Sequence, residues 1–232
     1  MKEKPVSLSP RKEDVRDKKE VANVVVQFDL EEIKQHFYDS LNDIKKQFAV
    51  AESLLSSGRQ EEAMDVWRSQ VVFVEGVMDF FMHEISKYAL IKMFKGDWEK
   101  SERYANLMIP MSTVEEGLRN PESTEWLLSR LNSRFSQEVY LSSDALSSQL
   151  SLIGMRFDDI CKIAFPKQKN ESNDSGKQKL RDLYARRNQI AHQIDRQHAT
   201  AEKKPIDKQF VEDAIATVTA FVEGVCSTAA TK

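Results

Sequence analysis

From about Gln60 to Phe94 the chain contains no proline and a single glycine. The middle of this stretch, Val71, Val72, Phe73, Val74, Val77, Met78, Phe80 and Phe81, is apolar on nearly every side of a helix. Such a helix cannot lie on a surface; other helices must surround it, so it predicts the centre of a bundle. One polar stripe survives on it: Glu75, Asp79, His83 and Lys87 are each four residues apart and stack along one face. Glu75 and Asp79 also interrupt the most apolar run, VVFVEGVMDFFM, which falls short of the ~20 apolar residues a bilayer span needs. No membrane association is expected.

The remainder supports the same class. Only 7 glycines and 6 prolines occur in 232 residues, too few for a strand-and-turn fold, so an all-α protein is expected. The length suits one domain with one substantial core. Residues 1–28 read as a flexible charged tail, with 24–28 a short extended segment, and 29–228 as a single helical domain. Asp29 is the expected N-cap of a first helix in which Leu30, Ile33, Phe37, Leu41, Ile44 and Phe48 form one face, ending near Ser57–Gly58. The stretch 97–137 reads as short helices decorating the bundle, with Pro110 ending one and Pro121 opening another. A long helix is expected from Ser143 or Asp144 to Pro166, followed by a polar loop up to Lys177. Another runs from Lys177 to Ile194, then a polar linker, and a last amphipathic helix opens at Pro205.

The net charge is −3, so no overall field draws in nucleic acid or a membrane. Charge is unevenly placed, however. Between Lys162 and Lys204 eleven basic side chains face five acidic ones, a local excess of six positive charges. That excess suits an RNA backbone, or equally a solvated charged face. Cys161 and Cys226 match no metal spacing and read as reduced core residues of a cytoplasmic protein. No secretory leader is expected in the charged N-terminal stretch. No cofactor and no metal site is expected; the Glu75, Asp79 and His83 set has suitable atoms, but one helix rarely supplies a whole site.

The helix over 177–194 is the informative one. On an ideal wheel Leu180, Leu183, Tyr184, Ala191 and Ile194 share the sector it should bury, and Arg187 falls in the middle of them. A guanidinium in an apolar stripe calls for a fixed carboxylate, an interface or an anionic ligand. Asn188 and His192, at i and i+4, lie on the flank of that stripe, where the amide is within reach of the imidazole. A permanent cation, a side chain that titrates near neutral pH and a polar group to orient it are what phosphate chemistry needs. Arg186 precedes Arg187 but points away from the stripe on the wheel.

Arg187-Asn188-Gln189-Ile190-Ala191-His192 resembles the R-x-x-x-x-H signature of HEPN domains, with a polar residue after the arginine. VEGVMDFFMHEISKYA is similar to the central helix of that superfamily, particularly its RiboL-PSP-type branch. The resemblance implies a HEPN-like helical bundle with two or three additional short helices, and a homodimer in which two motifs face each other across one cleft. It implies a metal-independent endoribonuclease that cleaves RNA by 2′-hydroxyl attack, in a toxin or antiviral defence effector, with a regulatory partner protein. DNA is not an expected partner. In that reading His192 is general base or acid, Arg187 stabilises the phosphorane, and Asn188 orients His192 or the phosphate. Lys177, Lys179, Arg181 and Arg186 are the expected RNA-binding cations, with Asp79 or Glu75 supporting Arg187. The alternative is a HEPN-type RNA-binding or protein-interaction module without catalysis. RNA cleavage that survives chelation and is lost with His192 separates the two.

Overall fold

The computed structural model describes residues 27–166 and 175–232. Most of the charged N-terminal segment and of the polar loop after Pro166 lie outside the described residues. Those described form an all-α fold of ten helices. They are α1 (Leu30–Lys46), α2 (Phe48–Ser56), α3 (Gln60–Lys95), α4 (Glu102–Ala105), α5 (Met111–Arg119), α6 (Glu125–Phe135), α7 (Ser143–Leu152), α8 (Phe157–Ala164), α9 (Ser175–Gln193) and α10 (Lys208–Ala229). No described helix is long and apolar enough to cross a membrane.

As its apolar girth requires, α3 is the hub, and α1, α2, α6, α9 and α10 all pack on it. Val71, Val74, Met78, Phe81, Met82 and Ile85 are buried along its length. Asp29 caps α1 with a reciprocal capping box, its carboxylate accepting from the Glu32 amide at 2.8 Å while Glu32 accepts from the Asp29 amide at 2.8 Å. α8 closes the bundle against α10, where a side chain in place of Gly224 would sit 3.2 Å from the Ile160 carbonyl.

Five boundaries differ from the sequence reading, and two of them are helix starts: the helices expected to open at Pro121 and Pro205 begin at Glu125 and Lys208. The first expected helix is broken at Gln47 into α1 and α2. The helix expected from Ser143 to Pro166 is likewise two, because Gly154 adopts φ 71° and turns the chain between α7 and α8. Pro110 is the N-cap residue of α5 rather than the end of the preceding helix.

The linker after α9 is folded tightly. Ile194 and Asp195 both take left-handed backbone angles (φ 51° and 59°), unfavourable for a β-branched isoleucine. Two buried ion pairs hold the turn in place. Asp195 is fully buried; its carboxylate accepts from Arg68 Nε of α3 at 2.9 Å and meets Arg186 Nη1 of α9 at 2.7 Å. Arg68 Nη2 also donates to the Lys204 carbonyl at 2.7 Å, and the Lys204 amide donates to the Asp195 carbonyl at 2.9 Å. The returning chain then pairs Arg196 with Lys203 in a single antiparallel bridge. Removing the carboxylate leaves the Arg186 guanidinium without its counter-charge and beside Arg68, which keeps only Asp65, half-exposed, at 2.9 Å. Asp195→Ala is therefore expected to cost about 3–5 kcal/mol of stability, read as a lowered urea midpoint. A midpoint unchanged from the parent would show that this triad does not hold the turn.

Candidate functional site

α9 presents Arg187, Asn188 and His192 from its last two turns. These three side chains line one depression of about 740 Å³, together with Tyr184 and with Val139 from the segment after α6. Arg187 and Asn188 are half-buried and His192 is exposed. The expected amide–imidazole contact is replaced by another. Arg187 Nη1 donates to Asn188 Oδ1 at 3.0 Å, so Asn188 steadies the guanidinium. The His192 ring has no hydrogen-bond partner among the described residues and stays open to the depression.

Behind the guanidinium lies the carboxyl of Glu75 on α3, 1% exposed, with neither oxygen hydrogen-bonded. Burial is the main reason that its pKa rises to about 8; the positive charge of Arg187 pulls it down and the negative charge of Asp79 pushes it up. Near neutral pH the acid therefore keeps its proton. No ion pair within 4 Å neutralises Arg187 among the described residues, and its Nε is buried without a partner. A permanent cation that is partly desolvated and uncompensated is poised for an anion.

Asp79, expected as a second candidate to support Arg187, is committed elsewhere. Its Oδ1 accepts from the Tyr140 amide at 2.6 Å, and its Oδ2 lies 3.8 Å from His83 Nε2. The His83 ring packs on Tyr140 with centroids 4.7 Å apart. Lys87, the last of the polar stripe, is buried against Glu84 at 2.7 Å and Asn132 at 3.2 Å. Among the described residues, no group of three or more acidic, histidine or cysteine side chains is placed to hold a metal ion.

The expected RNA-binding cations divide between two flanks of α9. Arg181 and Lys177 lie on the Asn188–His192 flank, two and three turns toward the N-terminus. Lys177 pairs with Asp158 at 3.0 Å, and Arg181 reaches Gln178 at 3.4 Å. Lys179 and Arg186 lie on the opposite flank. Lys179 stands 6.0 Å from the Phe165 ring. Arg186 is spent on the Asp195 pair and on the Pro205 carbonyl at 3.0 Å, so its expected place among the cations open to RNA is corrected to a structural one.

The wheel also needs one correction. Leu180 and Leu183 are buried as expected, but Ala191 is exposed and Ile194 is 65% exposed. The apolar stripe thus continues past the edge of the molecule, with Arg187 at the boundary. α3 extends it: Phe73 and Phe80 are half-exposed, and Phe73 shares a groove with Ala191 and Ile194. Sequence reasoning assigned Phe73 and Phe80 to the core because the whole stretch is apolar, and period alone does not show which side lacks a neighbour.

No protein-family model matches this chain, and neither a curated protein nor a solved structure does. The functional reading rests on the residues themselves.

The Glu75 proton has a measurable consequence. The unfolded chain releases it near the ordinary carboxyl value of 4.5, whereas the folded chain holds it up to about 8. Between those values the folded state binds the extra proton, so stability falls as pH rises, by at most roughly 1.4 kcal/mol per pH unit. Glu75→Gln is expected to match the parent in melting temperature near pH 4.5 and to exceed it above pH 8. Equal melting curves for the two proteins at both ends would contradict a buried, proton-holding Glu75.

Proposed function

We propose that this chain is a HEPN-type endoribonuclease that cleaves RNA without a metal, acting as a homodimer whose two RNxxxH motifs border one cleft. The observation that carries the reading is the uncompensated Arg187 beside His192 in a single open depression. The sequence resemblance supplies the reaction. An RNA 2′-hydroxyl gives its proton to a base, its oxygen bonds to the adjacent phosphorus, and the P–O5′ bond breaks. The departing 5′-oxygen takes a proton from an acid, leaving a 2′,3′-cyclic phosphate and a 5′-hydroxyl. His192 is the side chain for proton transfer, within reach of whatever occupies the depression. Arg187 meets the charge that builds on the non-bridging oxygens, and Asn188 holds Arg187 at the angle required. Arg181 and Lys177 continue the positive track toward the N-terminus of α9.

The neutral Glu75 belongs to the same scheme. An ionised carboxylate behind Arg187 would cancel the charge that the phosphate needs. Phosphate affinity should therefore weaken as pH rises through about 8.

The homodimer rests on the uncovered stripe of Phe73, Phe80, Ala191 and Ile194. A two-fold contact over it would bury apolar surface that now faces water and bring two copies of Arg187 and His192 to one cleft.

RNA cleavage in EDTA tests the enzyme reading. The parent chain is expected to leave cyclic-phosphate ends, with cleavage at least about 100-fold slower in His192→Ala and in Arg187→Ala. Intact RNA, with salt-sensitive binding by the folded parent, would replace the enzyme with an RNA-binding module. Phe73→Glu tests the dimer: light scattering should report a monomer with unchanged helical circular dichroism. A dimer persisting in Phe73→Glu would place the interface elsewhere.

A further inference from the structure

Six of the seven glycines have a reason inside the chain. Gly58, Gly96 and Gly154 hold left-handed backbone angles that other residues avoid. Gly117 and Gly176 lie against the rings of Trp126 and Phe165, and Gly224 against the Ile160 carbonyl, so a side chain would be crowded at each. Gly76 has neither reason. It sits near the middle of α3, it is exposed, and a methyl group built on it would meet nothing within 4 Å. Glycine weakens a helix interior more than any residue except proline, and nothing within the chain offsets that loss at Gly76.

On the helical wheel Gly76 falls between Val72 and Phe80, each one turn away, with Phe73 beside them. Phe73 and Phe80 are 50% and 47% exposed. The outward face formed by Ser69, Val72, Phe73, Gly76 and Phe80 carries no charge, so it offers nothing to an RNA backbone. A second local rule fails at its border. Ile194 keeps a left-handed backbone angle, φ 51°, which suits glycine or asparagine and not a β-branched side chain, and it is 65% exposed in the groove it shares with Phe73. The chain thus has a glycine where a helix prefers almost any side chain, and an isoleucine where a turn prefers glycine, both on one apolar face. Such departures from local preference mark surfaces that serve something other than the fold itself.

We propose that Gly76 is the point at which α3 crosses α3 of a second copy. The assignment rests on the homodimer proposed above and names the contact that builds it. Packed helices keep their axes about 8–10 Å apart, as the side chains at the contact dictate, and a glycine permits the closest approach. The occupant is a second copy because the face is complementary to itself: it carries a gap at Gly76 and a ridge on either side of it, at Phe73 and Phe80. A two-fold axis through Gly76 sets gap against gap and lets the rings of each copy close over the other helix, as an isologous contact requires. α9 borders the same face through Ala191 and Ile194, so the crossing also brings the two α9 helices, and the motifs they carry, toward each other.

Gly76→Cys in the full chain tests the crossing. Cys161 and Cys226 are buried, so the new thiol is the one open to an oxidant. With diamide the variant is expected to run as a covalent dimer on a non-reducing gel, whereas Met111→Cys, a well-exposed position on α5, should stay a monomer. Gly76→Leu should raise the dimer dissociation constant by roughly tenfold or more in sedimentation, with unchanged helical circular dichroism. In the Phe73→Glu monomer, Gly76→Ala should raise the melting temperature, because only the pairing of copies needs the glycine. A lowered melting temperature there would reveal a need for glycine within the chain and overturn the proposal, as would a Gly76→Leu protein of parental dissociation constant. A Gly76→Cys protein that is a dimer by light scattering yet cross-links no better than Met111→Cys would overturn the crossing and leave the homodimer standing. A parent chain that is monomeric would remove both.

Discussion

The arrangement depends on how the central helix disposes of its buried polar side chains. A helix enclosed on nearly every side must match each polar group it carries, because an unmatched one is costly. α3 does this with one segment at a time. Gln70 Nε2 donates to the Ile44 carbonyl at 2.9 Å, which fixes the end of α1. Arg68 takes Asp195 and the Lys204 carbonyl, which fixes the turn beyond α9. Asp79 takes the Tyr140 amide, and Lys87 takes Asn132 of α6. Apolar packing brings these segments onto α3, and the polar matches set which residue stops where. The matching is incomplete at Trp67 Nε1, Gln70 Oε1 and both Glu75 oxygens, which are buried without a partner, and of these Glu75 is the acid whose field reaches Arg187 of α9.

Two adjacent arginines on α9 thereby come to different ends. Arg186 is tied down in the pair with Asp195, and burial lowers its pKa despite that carboxylate. Arg187, one residue on, is left with a neutral acid behind it and an amide beside it. The strained turn at Ile194 and Asp195 ends the helix soon after His192, so the histidine sits at a rim rather than within a packed face. A structural lock and an open cation within a few residues of each other is an economical way to hold a site still without filling it.

Much of this was legible in the residues, and the reasons are local. The N-cap at Asp29, the span of α3 and the polar stripe along it follow from spacing over a few turns. The grouping of Arg187, Asn188 and His192 follows from one helix. What was not legible depends on distant partners. Arg68 and Asp195 are 127 positions apart, and neither stands out until the chain brings them together. The exposure of Phe73, Ala191 and Ile194 is of the same kind: a wheel reports which residues share a face, and packing decides whether anything covers it. Gly154 is a different case, because a lone glycine inside an amphipathic pattern was a visible signal for the break between α7 and α8.

The central claim is that Arg187 remains uncompensated because Glu75 keeps its proton. Carboxyl-carbon NMR of the glutamate-labelled chain tests it most directly, with the Glu75 resonance assigned by its loss in Glu75→Gln. A titration midpoint near pH 8 is the result expected. A midpoint in the ordinary carboxylate range would mean that Glu75 is ionised and already pairs with Arg187, and the account of an open cation awaiting a phosphate would fail.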